Sequence, residues 1–195
     1  MVVPNVAIAL QSTVGVAWLY VLTLYFQEVL GHGPLIAGLL FVPMTAVSVV
    51  AAPIAGRLTT ILGVKPTAAG GLALLGAGLL FMTGMSEGGG LTLVLCGTVV
   101  GEFGFMLSNV PLTIAASGST GEQGLASGLM NTSIQLGNTV GLAAVATLAA
   151  AVTGTPVVGL RSGLLLCVAV VAVALPTVLL GLRGTSRKEP YPGEA

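Results

Sequence analysis

Apolar residues run along this chain in long blocks, with no alternation of the kind a strand needs. Six of these blocks reach the ~20 residues a helix requires to cross a hydrocarbon core of roughly 30 Å. They cover positions 4–26, 34–56, 66–86, 90–114, 124–151 and 161–182. Turn formers or charges separate them: Glu28-Val29-Leu30-Gly31-His32-Gly33, the stretch from Arg57 to Lys65, Ser86-Glu87-Gly88-Gly89, the stretch from Ser117 to Gln123, and Thr153-Gly154-Thr155-Pro156. The pattern predicts an all-α fold, an integral membrane six-helix bundle over residues 1–182. The connections are too short to hold a soluble domain. The tail, residues 183–195, carries Pro190 and Pro192 and is expected to be cytoplasmic, solvated and disordered.

Composition sharpens this picture. Hydrophobic residues make up 55% of the 195 positions and charged ones only 6%, where a soluble domain carries about 25% charged. The zero net charge leaves no electrostatic footprint for nucleic acid, and no such partner is expected. The 29 glycines are roughly twice the ordinary share, which in a membrane points to closely approaching helix backbones. Cys96 and Cys167 fall inside apolar runs and read as small packing residues. With the N-terminus inside, Arg57, Lys65, Arg183, Arg187 and Lys188 are cytoplasmic and Arg161 alone is outside. That asymmetry predicts a multi-pass protein of the inner or plasma membrane with both termini cytoplasmic.

Polar residues inside the spans carry the candidate chemistry. Glu102 stands near the middle of the fourth block, where an ionisable group costs about 2.5–3.5 kcal/mol to insert. It is therefore expected to face a cavity or the bundle interior. At 100° per residue, Thr98, Asn109 and Thr113 fall within about 40° of it, and Pro111 is placed to kink the helix and free a carbonyl. Two readings are open: Glu102 binds and releases a proton or meets a cationic substrate, or it is a protonated acid bonded between helices. In the fifth block Ser127, Asn131, Gln135 and Asn138 span an arc of about 80°. Together they suit a cavity wall, and singly they suit interhelical bonds. Gly137 and Gly141 form a small-residue step on a neighbouring face, a helix contact. In the first block Asn5, Ser12 and Thr23 share a line, with Gln11 to its side. Met44, Met106, Met130, Phe41 and Phe105 fit either an adaptable pocket or plain packing.

Several chemistries drop out. His32 is the lone histidine and lies in a connection, so a Ser-His hydrolase lacks its base. Without Asp, and with one His, no metal-ligand cluster can be assembled. Gly76-Ala77-Gly78 sits in an apolar helix, outside the strand–turn–helix setting of a dinucleotide loop. No enzyme, cofactor or metal is expected.

Three stretches carry a resemblance. They are Gln27-Glu28-Val29-Leu30-Gly31-His32-Gly33-Pro34-Leu35-Ile36-Ala37-Gly38; Pro53-Ile54-Ala55-Gly56-Arg57-Leu58 with Gly63-Val64-Lys65-Pro66; and Gly124-Leu125-Ala126-Ser127-Gly128-Leu129-Met130-Asn131-Thr132-Ser133-Ile134-Gln135-Leu136-Gly137. Together they resemble the last six helices of the fourteen-helix drug:proton antiporter branch of the major facilitator superfamily. The second stretch is similar to that superfamily's cytoplasmic gating loop: Gly56, Gly63 and Lys65 match its G-x-x-x-D-x-x-G-R-K pattern, with Arg57 beside them. Thr60 stands at its acidic position and Val64 at its arginine. Ile134 replaces a common arginine, Asn138 a common glycine and Glu102 a common small residue.

The resemblance implies the C-terminal half of a proton-coupled multidrug or small-molecule efflux transporter. Glu102 would then be the proton-coupling candidate. Thr98, Asn109, Ser127, Asn131, Gln135 and Asn138 would be the substrate-cavity candidates. The implied partners are an amphipathic small-molecule substrate, protons, the lipid bilayer, and an N-terminal six- to eight-helix half or a second copy of the chain. A non-transporting membrane subunit, a truncated remnant and a homodimer of six-helix halves are the alternatives.

Overall fold

The structure, a computed structural model, describes residues 2–86, 90–117 and 123–182, with Gln123 placed by its backbone alone. Helix α1, Val2–Leu24, runs on through a wide π-helical turn at Tyr25–Val29. The second span is two pieces, α2 at Pro34–Leu39 and α3 at Val42–Leu62. Then follow α4 (Val64–Met82), α5 (Leu91–Ser117), α6 (Gln123–Ala151) and α7 (Pro156–Gly181). Together these make six helices or helix pairs long and apolar enough to cross a membrane. The predicted all-α, six-span architecture is what the described residues form. Arg183, Arg187, Lys188 and the rest of the 183–195 tail lie outside them.

Three boundaries differ from the sequence expectation. The 57–65 stretch, expected to be a loop, is helical up to Leu62 and again from Val64, with Gly63 alone as the turn. Gly63 sits at φ 94°, where a side chain is strained, so the reversal is made by one glycine. Arg57 does not end the helix because its long stem lets the charge reach an interface from inside a helical turn. The expected 34–56 helix is broken at Leu40–Phe41, where Phe41 N–H turns to Gly38 O at 3.1 Å. Pro43 has no N–H to continue the ladder. The last span starts at Pro156 rather than 161, with extended Thr155 before it and proline in its first turn.

The helices pack with a simple internal order. The first span packs on the fourth, fifth and sixth; the fourth packs on the first, second and third; and the third meets the sixth. Exchanging the first three spans with the last three leaves these principal pairings unchanged; the lighter contact of the fourth span on the fifth has no counterpart of the same extent between the first and second. Spans one and four cross in opposite senses, so the bundle has the organisation of an inverted 3+3 repeat.

Glycines allow the tightest of these contacts. A methyl at Gly71 would meet Leu107 C and Gly104 O at 2.7 and 2.8 Å, and one at Gly97 would meet Gly78 O at 2.8 Å. Backbone therefore lies on backbone between α4 and α5. The Gly137/Gly141 step does the same on α1, where it rests against the backbone of Ala9 and Thr13. The outer spans are packed on one side only. In the apolar stretches of the second and fifth spans 11% and 17% of residues are buried, against 50% and 44% in the first and fourth. At one end of the bundle the Tyr25 hydroxyl donates to Ser86 O (3.2 Å) and Arg161 Nε to Met85 O (3.2 Å), tying α1 and α7 to the end of the third span.

An intramembrane cavity around Glu102

The fourth span presents Glu102 to the second. Its side chain is 3% exposed and accepts a short hydrogen bond from the Ser48 hydroxyl of α3. Ser48 sits one turn beyond Met44, whose carbonyl its hydroxyl also reaches at 3.2 Å. A buried carboxyl group without a hydrogen-bond partner is costly to retain, and this pair supplies one. Nothing in the sequence pattern singled out Ser48. Its pairing with Glu102 joins positions 54 apart on different spans, which helical periodicity within one span does not report.

Glu102 opens into a cavity of about 280 Å³ between the first, second, fourth and fifth spans. Ser12 and Trp18 line it from α1, Met44 from α3, Phe105 and Asn109 from α5, and Ile134 and Asn138 from α6. It joins one carboxyl, one hydroxyl, two amides and two aromatic rings in an otherwise apolar wall. That mixture can hold an amphipathic molecule by its apolar body while a few polar groups set its orientation. Gly15 admits the Phe105 ring, since a methyl there would stand 2.9 Å from it. Beside the cavity, buried Gln11 donates through Nε2 to Phe105 O and Ser108 Oγ, both at 2.8 Å. Its Oε1 and the Trp18 indole N–H are buried without a partner among the described residues. A groove of about 620 Å³ lies on the other flank of the α3–α5 contact, walled by Val47, Val50, Leu74, Val99 and Phe103 among others, all apolar. It carries no polar side chain and so no chemistry.

The sequence candidates separate in space. Asn109 and Asn138 reach the cavity with Glu102. Thr98 is turned to α4, donating to Val94 O at 2.8 Å with the Met82 sulfur 3.8 Å away. Ser127, Asn131 and Gln135 are exposed on the unpacked side of α6. Gln135 joins the cavity's rim only by accepting from Asn138 Nδ2 at 3.3 Å. In the expected gating loop, Gly56 and Arg57 are inside α3, Gly63 is the turn and Lys65 is in the first turn of α4. The Thr60 hydroxyl donates to Arg57 O at 2.7 Å, so the position at which the family carries an acid is used here as a helix-end bond.

Comparison with known proteins identifies the family to which this bundle belongs. The family model of the Major Facilitator Superfamily matches residues 6–195. The chain belongs to the major facilitator superfamily. Members of that superfamily are membrane transporters, and the six apolar spans make this one a multi-pass membrane protein. Among curated proteins, the chain is 32% identical over 131 residues to the multidrug resistance protein Stp of Mycobacterium tuberculosis. It is 28% identical over 146 residues to the tetracenomycin C resistance and export protein of Streptomyces glaucescens. These matches take in 66% and 70% of this chain but 24% and 26% of the relatives. The match therefore spans about a quarter of each relative's length.

Proposed function

We propose that this chain is the C-terminal six-helix half of a proton-coupled exporter of small amphipathic molecules, with Glu102 as the group that takes up and releases the proton. The observation that carries the reading is the position of Glu102: a carboxyl 3% exposed, at mid-span, bonded to Ser48 and open to a cavity that Asn109 and Asn138 share. Intramembrane carboxyls of this kind mark proton relays and ion paths. A carboxyl that belongs to the same cavity as a substrate can link the two by exchanging proton for ligand. The name of the Streptomyces glaucescens relative, a resistance and export protein, supports export as the direction of transport.

The need for a second half rests on the unpacked faces. The cavity touches α6 through Ile134 and Asn138, while Asn131 and Gln135 are exposed. A second six-helix unit, covering α3 and α6, would turn that polar arc inward and close the cavity between two halves, as alternating access requires. The N-terminal half of the same transporter is the partner proposed; a second copy is the other way to supply six helices. Thr98 takes a packing role in this reading, and the remaining candidates line the shared cavity.

The test is transport in proteoliposomes. The purified chain alone should give no drug-driven proton movement, and its assembly with a six-helix N-terminal half should restore it. In that assembly Glu102→Gln should keep substrate binding and abolish coupling to an imposed pH gradient. Full coupling in a well-folded Glu102→Gln protein would leave Glu102 a structural hydrogen-bonding group.

A further inference from the structure

A further pocket opens at the opposite end of α1 from Val2, between the first span, α6 and the start of α7. The two helices run parallel and touch through Gly137 and Gly141 against Ala9 and Thr13. Nearer the end of the first span, residues of α1, α6 and the start of α7 face one wedge-shaped pocket. The pocket holds about 360 Å³, within the size range of small-molecule sites. Leu24, Ala149 and Leu160 give it an apolar floor; Tyr20, Glu28 and Thr155 bring polar groups to its rim.

We propose that this pocket binds an organic ammonium ion, independently of the cavity at Glu102. The charge is set by one residue. Glu28 is exposed, lines the wedge, and makes no hydrogen bond or ion pair among the described residues. No lysine, arginine or histidine lines the pocket. The α6 C-terminus and the α7 N-terminus both end here, and their opposite partial charges of about half a unit each offset one another. The full charge of a carboxylate then decides the sign.

The π-helical turn aims Glu28. Tyr20, Leu24 and Glu28 are spaced by four, a spacing that drifts steadily around a regular helix. The wide turn closed by Leu30 N–H to Tyr25 O (3.0 Å) slows that drift and keeps Glu28 over Leu24 and Tyr20. An aromatic ring and a carboxylate on one wall recognise a cation that is bulky and weakly hydrated. One carboxylate is too small a donor set for a divalent metal, which takes six or more oxygens as Ca²⁺ or three to four N/S/O ligands as Zn²⁺. An ammonium group with an apolar body fits the rim and the floor together.

The experiment is calorimetric titration of the purified full chain, in a neutral detergent, with benzyltrimethylammonium. Its uncharged carbon isostere, neopentylbenzene, is the control. Saturable binding of the cation is expected, with at least tenfold weakening in Glu28→Gln and several-fold weakening in Tyr20→Leu. Ala146→Phe, which fills the wedge from α6, should remove binding while leaving Glu28 in place. Equal binding of cation and isostere would overturn the proposal, as would no saturable binding at millimolar concentration. Loss of binding in Glu102→Gln with Glu28→Gln unaffected would also overturn it, by moving the ligand to the other cavity. The transport test of Glu102 reads coupling instead, so the two proposals fail separately.

Discussion

Ser48 gives Glu102 a hydrogen-bond donor inside the bilayer, and the strength of that contact can be measured without any transport assay. Polar contacts between membrane helices average roughly 0.6 kcal/mol, and leaving a buried acceptor unmatched costs about 1–3 kcal/mol. Ser48→Ala should therefore lower the thermal midpoint of the detergent-solubilised chain by a few degrees, on the order of 2–4 °C per kcal/mol for a chain of this size. Ser48→Thr retains the hydroxyl and should recover most of the loss. An unchanged midpoint in Ser48→Ala would mean that the bond between α3 and α5 contributes nothing to packing. In the assembled transporter the same Ser48→Ala change should also alter the pH profile of transport, because it removes the one side-chain donor to Glu102 among the described residues; a purely structural bond would leave that profile in place. Glu102, Asn109 and Asn138 were legible in the sequence because polar groups stand out in apolar runs. Their arrangement was legible only where one helix's periodicity defined a face. Thr98 lies within about 40° of Glu102 around the helix, but that offset turns it to α4, where its hydroxyl bonds Val94 O beside the Met82 sulfur.

The helices show why composition reads so well here and connections so poorly. Length and apolarity define a span, because the bilayer demands about 20 such residues whatever the tertiary structure, and all six spans follow. The turns are decided by single residues and by packing: Gly63 reverses the chain alone, and the second span breaks ahead of Pro43. Neither changes the apolar pattern enough to be seen in it. The glycine excess was legible as close packing, and the structure says which glycines matter. A methyl on Gly104 would lie 2.7 Å from Gly71 O and 2.8 Å from Leu74 C, both backbone atoms that no rotamer change can move. Gly104→Ala should cost about 1–3 kcal/mol by overpacking, a fall of several degrees in the thermal midpoint. Gly128 on α6 has nothing within 4 Å of the same position, so Gly128→Ala should hold the midpoint or raise it slightly through helix propensity, by about 0.5–1 kcal/mol. Scanning calorimetry of the two variants decides the point. Equal effects would mean that the α4–α5 contact has slack to absorb a methyl.

For the molecule as a whole, the orientation in the membrane governs what both cavities can do. The basic residues within the described helices divide by end: Arg57 and Lys65 flank the Gly63 turn, and Arg161 stands near the start of α7, bonded to Met85 O. The positive-inside rule predicts that the Gly63 end is cytoplasmic. In that orientation the Glu28 pocket would open to the outside, where α6 ends and α7 begins, with the Glu102 cavity between the two faces. Thr155 and Thr60 are exposed at opposite ends, so they report the sense of insertion directly. With Cys96 and Cys167 replaced by alanine, Thr155→Cys should react with a membrane-impermeant maleimide in intact cells. Thr60→Cys should react only after the membrane is opened. Benzyltrimethylammonium added outside should slow labelling at Thr155, which lines the Glu28 pocket, and leave Thr60 untouched. The reverse labelling pattern would place both termini outside and put the Glu28 pocket in the cytoplasm, where an ammonium ligand would have to be a metabolite of the cell and not a compound arriving from beyond it.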